Sequence, residues 1–205
     1  MFPFHPSIGF YLRRHMRPVP ILGSKAFSLT IGRLCHQLIE DHGDLSGTAL
    51  IGLQPRGIYL ARRLRTELKR ILDSEKFKYG ELDITFHRDD FRHRSFPASP
   101  SITQLDFSLD DRKVILVDDV LFTGRTIRAG LDAMLAFGRP AGVQLLVLVD
   151  RRFSRELPIQ PDYVGKQVDS IAGQRVTVEW KETDGEDRVL LHVPDERAGN
   201  RSKAE

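Results

Sequence analysis

Residues 114–126 read Val-Ile-Leu-Val-Asp-Asp-Val-Leu-Phe-Thr-Gly-Arg-Thr, an apolar run followed by adjacent carboxylates and a short polar loop. Two neighbouring acids at the end of a buried strand lose hydration and repel each other, so a ligand that donates hydrogen bonds gives a physical reason for them. Thr123-Gly124-Arg125-Thr126 stands at the start of a helical pattern. There, unpaired backbone N–H groups and the helix dipole attract a phosphate. Gly124 lets the backbone approach closely, and Thr123 and Thr126 add hydroxyl donors. Acids followed directly by an anion cradle suit a sugar phosphate: Asp118 and Asp119 take the ribose hydroxyls, and the loop takes the 5′-phosphate.

Other chemistries fit less well. The loop is neither a GxxxxGK[ST] phosphate loop nor a GxGxxG dinucleotide fingerprint. A metal site on Asp118 and Asp119 alone lacks histidine partners at useful spacing. A purely structural strand end would not keep two acids beside an apolar run. Cys35, the only cysteine, lies among apolar residues of a helical stretch and reads as a buried thiol rather than a nucleophile. With one cysteine no internal disulfide forms, which suits a reducing cytoplasm.

The elements that must position these residues follow from periodicity. Ser24 can cap a helix running to about His42, with Phe27, Ile31, Leu34, Leu38 and Ile39 as its stripe and Gly43 as its stop. Residues 48–53 form a short buried strand, 54–57 a turn, and 58–72 an amphipathic helix. Residues 79–88 alternate as a half-exposed strand, and 89–106 form a long polar loop. A strand at 113–117 precedes the acids, a helix spans about 126–137, and 142–150 is a fully apolar strand. This alternation predicts an α/β fold with a mostly parallel twisted sheet and helices on both faces. Ligands then bind beyond the carboxyl ends of the strands, where Asp118 and Asp119 stand.

Outside this core, residues 1–21 read as an irregular Pro-rich arm and 194–205 as a frayed tail. Residues 155–166 read as Pro-rich and irregular, and 174–180 and 187–193 as two strands across a Thr-Asp-Gly-Glu turn. Together, about 151–193 read as a small hood lobe on a domain spanning 22–193. No apolar run approaches the roughly 18–20 residues of a membrane span. The net charge of +3, carried mostly by arginine, hints at phosphorylated ligands or nucleic acid but does not decide between them.

The stretch at 114–126 is similar to the signature of the type I phosphoribosyltransferases, which bind phosphoribosyl pyrophosphate there. More narrowly, "GLQPRGIYLARRL", "GELDITFHRDD", "VILVDDVLFTGRTIRAGLDAML" and "LVDRRFSRELPIQPDYVGK" resemble the bifunctional pyrimidine-operon attenuator and uracil phosphoribosyltransferase family, over roughly residues 22–192. The resemblance implies catalytic roles for Asp118, Asp119 and Arg88. It implies that Pro55 and Arg56 belong to a pyrophosphate loop, and that Val120, Leu121, Phe122, Thr123, Gly124, Arg125 and Thr126 hold the sugar phosphate. Arg88-Asp89-Asp90 and the loop beyond correspond to a mobile flap that excludes water from an oxocarbenium-like transition state. Arg151 would reach a base carbonyl, and Val176 matches a segment whose main chain reads the base edge. Mg²⁺ would bridge pyrophosphate oxygens and keep several waters, with few protein ligands. The purine enzymes that resemble this chain carry an acid where Phe122 stands, so a pyrimidine is expected.

Family members that regulate transcription bind a leader mRNA through a basic face of a dimer, and Arg33, His36 and Arg155 match positions implicated there. Several residues depart from that pattern: Gly32 replaces a threonine, and "DRRFSRELP" replaces "DRGHRELP" with one residue more and no histidine. Asp41 stands where a basic residue is common, and Gln54-Pro55 replaces Lys-Thr, losing a charge beside the pyrophosphate. Two functions are therefore expected from the resemblance. One is a cytoplasmic, homo-oligomeric uracil phosphoribosyltransferase making UMP that also regulates pyrimidine genes. The other is an RNA-binding attenuator whose pocket mainly senses UMP or UTP.

Overall fold

Apolar runs alternating with amphipathic segments set the element order in the computed structural model, which describes residues 16–88 and 101–194. In chain order the elements are β1 (Met16–Leu22), α1 (Ser24–His42), β2 (Thr48–Leu53), α2 (Gly57–Leu72) and β3 (Lys78–Leu82). After them come β4 (Lys113–Leu121), α3 (Arg125–Met134), β5 (Gly142–Arg152), β6 (Tyr163–Asp169), β7 (Arg175–Glu179), the short α4 (Lys181–Asp184) and β8 (Arg188–Pro194).

The unit formed by residues 28–169 holds a five-stranded parallel sheet in the order β3-β2-β4-β5-β6. Its central strands are covered on both faces, which is why they read as unbroken apolar runs. Successive residues of β2 show how the helices divide. A Cβ on Gly52 would meet Ala61 and Ile58 of α2, whereas Leu53 lies against Gly130 of α3. Because neighbouring residues of a strand point to opposite faces, α2 and α3 cover opposite sides of the sheet. On the α3 side, Ile51, Leu53, Val114, Leu116, Leu145 and Val147 pack with Ile127, Ala129, Ala133 and Met134.

The second unit comprises the chain up to Phe27 and from Ser170 onward. Among the described residues it holds an antiparallel sheet in the order β1-β8-β7. Phe27 meets the fully buried Trp180 edge-on, with ring centroids 5.2 Å apart.

Three expectations change. The arm is not irregular throughout: Met16–Leu22 forms β1 despite Pro18 and Pro20. It lies at the edge of its sheet, where a missing N–H is tolerated, and its register shifts between Pro20 and Leu22. The alternation over 79–88 is not one strand. β3 ends at Leu82, and a 3₁₀ turn, Thr85–His87, follows. Asp83 imposes the break by accepting the Thr85 N–H at 2.9 Å and the Ser101 N–H at 2.9 Å. Finally, the segment read as irregular over 155–166 runs into β6, which extends the parallel sheet beside β5. Asp162 seats it there through reciprocal 2.8 Å bonds with Leu145. Residues 151–169 therefore belong to the parallel sheet and its connections rather than to a hood.

Smaller shifts concern boundaries. β4 runs to Leu121, so the acids sit within the strand and not just after it. α3 ends at Met134, with a 3₁₀ turn, Leu135–Phe137, completing it. The Thr-Asp-Gly-Glu turn is the short α4 closed by Gly185 at φ +85°.

Gly57, at the start of α2, explains how that helix reaches the acids. A Cβ there would lie 2.4 Å from the Val117 carbonyl oxygen and 3.0 Å from the Asp118 Cα. Backbone lies on the receiving side, so no side-chain rotation relieves the clash. Gly57→Ala is expected to destabilise the protein by about 1–3 kcal/mol. Gly142→Ala, which meets nothing within 4 Å, serves as the neutral control. Thermal unfolding followed by circular dichroism checks both, and a Gly57→Ala melting point equal to that of wild type would contradict the close packing.

Candidate active site

Three loops at the carboxyl ends of parallel strands supply the site. β4 carries Asp118 and Asp119, both buried at 6% and 7% exposure, with Asp118 paired to Val147 of β5. The loop from β2 to α2 brings Arg56, whose Nε donates to Asp119 Oδ2 at 2.9 Å. Asp118 Oδ1 accepts the Asp119 N–H at 2.9 Å. Burial pushes both carboxyls above their ordinary range. Asp118 is raised further by the charge of Asp119, and Arg88 and Arg56 oppose the rise. Arg56 opposes it at Asp119. Without a ligand, the pair therefore holds onto a proton more tightly than exposed aspartates do.

The loop from β4 to α3 is the one expected to cradle a phosphate. Gly124 adopts φ +93°, and a Cβ there would also press on Leu157 and Ile159. Glycine is needed both for conformation and for space. The Thr123 hydroxyl accepts the Arg125 N–H at 3.4 Å, and the Gly124 carbonyl accepts the Arg128 N–H at 3.0 Å as the helix begins. Arg88, just after the 3₁₀ turn, donates from Nη1 to the Thr126 hydroxyl at 3.3 Å. Arg88, Arg56, the two acids and the Thr-Gly-Arg-Thr loop thus converge within one unit. Val120 is half-buried and Leu121 buried, as members of the strand rather than the loop.

Phe122 is 42% exposed, and the Arg151 guanidinium lies over its ring, 3.9 Å from the centroid. Arg151 itself is buried at 7% exposure, so the cation covers one face of a partly exposed ring.

Other expected residues are placed differently. Gln54 is buried, and its side-chain amide donates to the Ile102 carbonyl at 2.9 Å. The Gln54–Pro55 peptide is cis, and Pro55 and Arg56 are exposed. Arg125 pairs with Glu156 at 2.6–2.7 Å. Val176 is a buried member of β7, paired with Leu191 in the antiparallel unit. The flap residues 89–100 lie outside the described residues.

Of the positions matched to RNA contact, Arg33 donates to the Val164 and Gly165 carbonyls at 3.1 and 2.6 Å, and His36 is exposed on α1. Arg155 departs most. It is turned inward, bonded to Asp150 and to main-chain carbonyls, so it offers no basic face. Asp41 accepts the Tyr163 hydroxyl at 2.7 Å, which gives this acid a structural partner. Sequence reasoning missed Asp150 as that buried partner. Its one signal was an acid ending an apolar strand, the same signal that marks Asp118.

A phosphoribosyl transferase domain model matches residues 21–183, and the chain belongs to that family. The chain is 46% identical over 175 residues to the bifunctional protein PyrR of Desulfosudis oleivorans, covering 85% of this chain and 96% of that one. It is 42% identical over 174 residues to the bifunctional protein PyrR of Bacillus subtilis, covering 84% and 95%. Within the phosphoribosyltransferases it is therefore a member of the bifunctional PyrR family. Among solved structures, hypoxanthine phosphoribosyltransferases of Staphylococcus aureus and Trypanosoma cruzi share the fold. Each has a TM-score of 0.62, with 15% and 16% identity, covering 91% and 86% of this chain and 97% of each of theirs.

The raised carboxyls give a stability prediction. An acid whose folded pKa lies above its unfolded value favours the fold at low pH and loses that contribution as pH rises through the folded pKa. Asp118 therefore works against the fold above that point. Asp118→Asn keeps the shape and removes the charge, so it should raise the melting temperature at pH 7.5 by about 2–4 °C, with the gain shrinking towards pH 4. An unchanged or lower melting temperature at pH 7.5 would count against the buried charge pair.

Proposed function

We propose that this protein transfers a phosphoribosyl group to uracil, forming UMP and pyrophosphate, and also regulates pyrimidine genes. The observation that carries the reading is the convergence of two buried acids, Arg56, Arg88 and the Gly124 loop in a phosphoribosyltransferase fold. The 5′-phosphate of phosphoribosyl pyrophosphate sits on the loop at the start of α3. Its ribose hydroxyls donate to Asp118 and Asp119. Arg56 and Arg88 take the pyrophosphate. The uracil ring lies against Phe122 with Arg151 at a base carbonyl. N1 of uracil then bonds to the ribose C1 as the C1–O bond to pyrophosphate breaks, with inversion, and the N1 proton departs.

Among the described residues no group of three or more His, Cys, Asp or Glu could hold a metal ion. In the proposed reaction Mg²⁺ would come with phosphoribosyl pyrophosphate and neutralise charge on the leaving group. Among the described residues no helix is long and apolar enough to cross a membrane, and the reading places the protein in the cytoplasm as a homo-oligomer. For leader-RNA contact it retains Arg33 and His36 on α1 and drops Arg155. The alternative, an attenuator that mainly senses nucleotides, uses the same pocket.

An assay of UMP formation with a parallel leader-RNA filter titration tests the reading. Asp118→Asn or Asp119→Asn should each lower kcat/KM at least about tenfold, the equivalent of about 1.4 kcal/mol of transition-state contact. Full activity in the double variant would sink the proposal. Hypoxanthine and guanine should be poor substrates, because Phe122 supplies no acid to a purine ring. Purine turnover equal to that of uracil would contradict this choice of base.

A further inference from the structure

The segment after β5 turns back over the phosphate loop and is bound to it along its length. Phe153, at φ +65°, makes the turn. Arg155 then donates from Nη1 to the Leu121 carbonyl at 3.3 Å, to the Arg151 carbonyl at 3.0 Å and to the Phe122 carbonyl. Its Nε donates to the Ile159 carbonyl at 3.0 Å, and its Nη2 is ion-paired with Asp150, which is 6% exposed. The next carbonyl of the loop, that of Thr123, accepts the Glu156 and Leu157 N–H groups at 3.0 and 3.2 Å. Successive carbonyls of Leu121, Phe122 and Thr123 therefore all face one strap. In a planar trans peptide the N–H points opposite to the C=O of the same unit. The N–H groups of Phe122, Thr123 and Gly124 are thereby directed away from the strap, toward the open side of the loop.

We propose that Arg155 is a positioning residue for phosphoribosyl transfer, clamping the carbonyl side of the phosphate loop so that its N–H groups face the 5′-phosphate. This rests on the phosphoribosyltransferase reading and adds to it a residue that touches no substrate. Asp150 orients the clamp. The planar guanidinium matters because several acceptors lie in different directions about one fork, a geometry an ammonium does not reproduce. The acceptors are main-chain carbonyls, so the clamp is blind to which base is used and acts on the sugar phosphate alone.

The test measures steady-state kinetics of Arg155→Ala, Arg155→Lys and Asp150→Asn. The expected result is a KM for phosphoribosyl pyrophosphate raised at least about tenfold in Arg155→Ala, with kcat within about threefold and the uracil KM unchanged. Arg155→Lys and Asp150→Asn should shift the same constant in the same direction by less, and they carry the test if Arg155→Ala does not fold. A lowered melting temperature with an unchanged KM for phosphoribosyl pyrophosphate would overturn the proposal. So would loss of leader-RNA retention with that KM unchanged, since it assigns Arg155 to a polyanion contact. Absence of UMP formation by the unaltered protein would instead sink the functional reading. In that case ribose 5-phosphate, titrated calorimetrically, is the probe. A weakening of at least about tenfold in the variants supports the clamp and equal affinity overturns it.

Discussion

Everything at the site depends on keeping two carboxylates inside a strand that the sheet has buried. The fold supplies some donors: Asp118 accepts the Asp119 N–H, and Asp119 takes the Arg56 guanidinium and main-chain N–H groups including that of Val120. Burial still raises both carboxyls, and a ligand entering from the strand ends can add donors. In the proposed reading a ribose with vicinal hydroxyls would supply them, and its phosphate and pyrophosphate would reach the cationic and N–H-rich loops on either side. Stability given up for a ligand in this way is a trade commonly met at functional sites.

The constraint spreads outward through contacts that allow no slack. α2 must start close to β4, which requires Gly57, and this brings Arg56 to Asp119. α3 must start from a left-handed residue pressed against Leu157 and Ile159, which requires Gly124. Asp83 then closes the stem that carries Arg88, holding Ser101 on the far side. Gln54 joins the same stem through the Ile102 carbonyl, so the loop bearing Arg56 and the stem bearing Arg88 are held in one register. In place of a charge toward ligand, this residue supplies a tie between two loops.

The parallel sheet, its helices and the convergence of acids with the Gly124 loop were legible in the sequence, because apolar periodicity and a long, specific motif are local signals. The rest was not, for identifiable reasons. β1 was hidden by prolines that its edge position tolerates, and β6 by a half-exposed pattern preceded by Pro161 and Asp162. The break after Leu82 lay in the side chain of Asp83, which alternation does not register. The partner of Gln54 and two of those of Arg155 are main-chain carbonyls distant in sequence. A carbonyl acceptor carries no residue identity, so no spacing rule could have found them.

Arginine content is where composition misleads most. Arginine suits phosphate, yet many arginines here are bound within the chain. Arg62 forks onto the buried Glu81 at 2.7 and 2.8 Å, Arg152 onto Asp169 at 2.6 and 2.7 Å, and Arg70 onto Glu67 at 3.0 and 2.7 Å. Arg65 pairs with Glu75, and Arg188 with Glu179. Such pairs on a surface add about 0–1 kcal/mol each to stability, but each also cancels a charge over distances shorter than the ~8 Å screening length. A face built from paired arginines attracts a polyanion much less than its residue count suggests. At the strand ends, by contrast, Arg56 and Arg88 are set against acids whose own hydrogen-bonding needs a sugar can take over. In the proposed reaction a sugar that does so would free Arg56 for phosphate as the phosphate arrives, so coupling between the sugar and the leaving group would rest on the placement of two carboxylates more than on the overall positive charge.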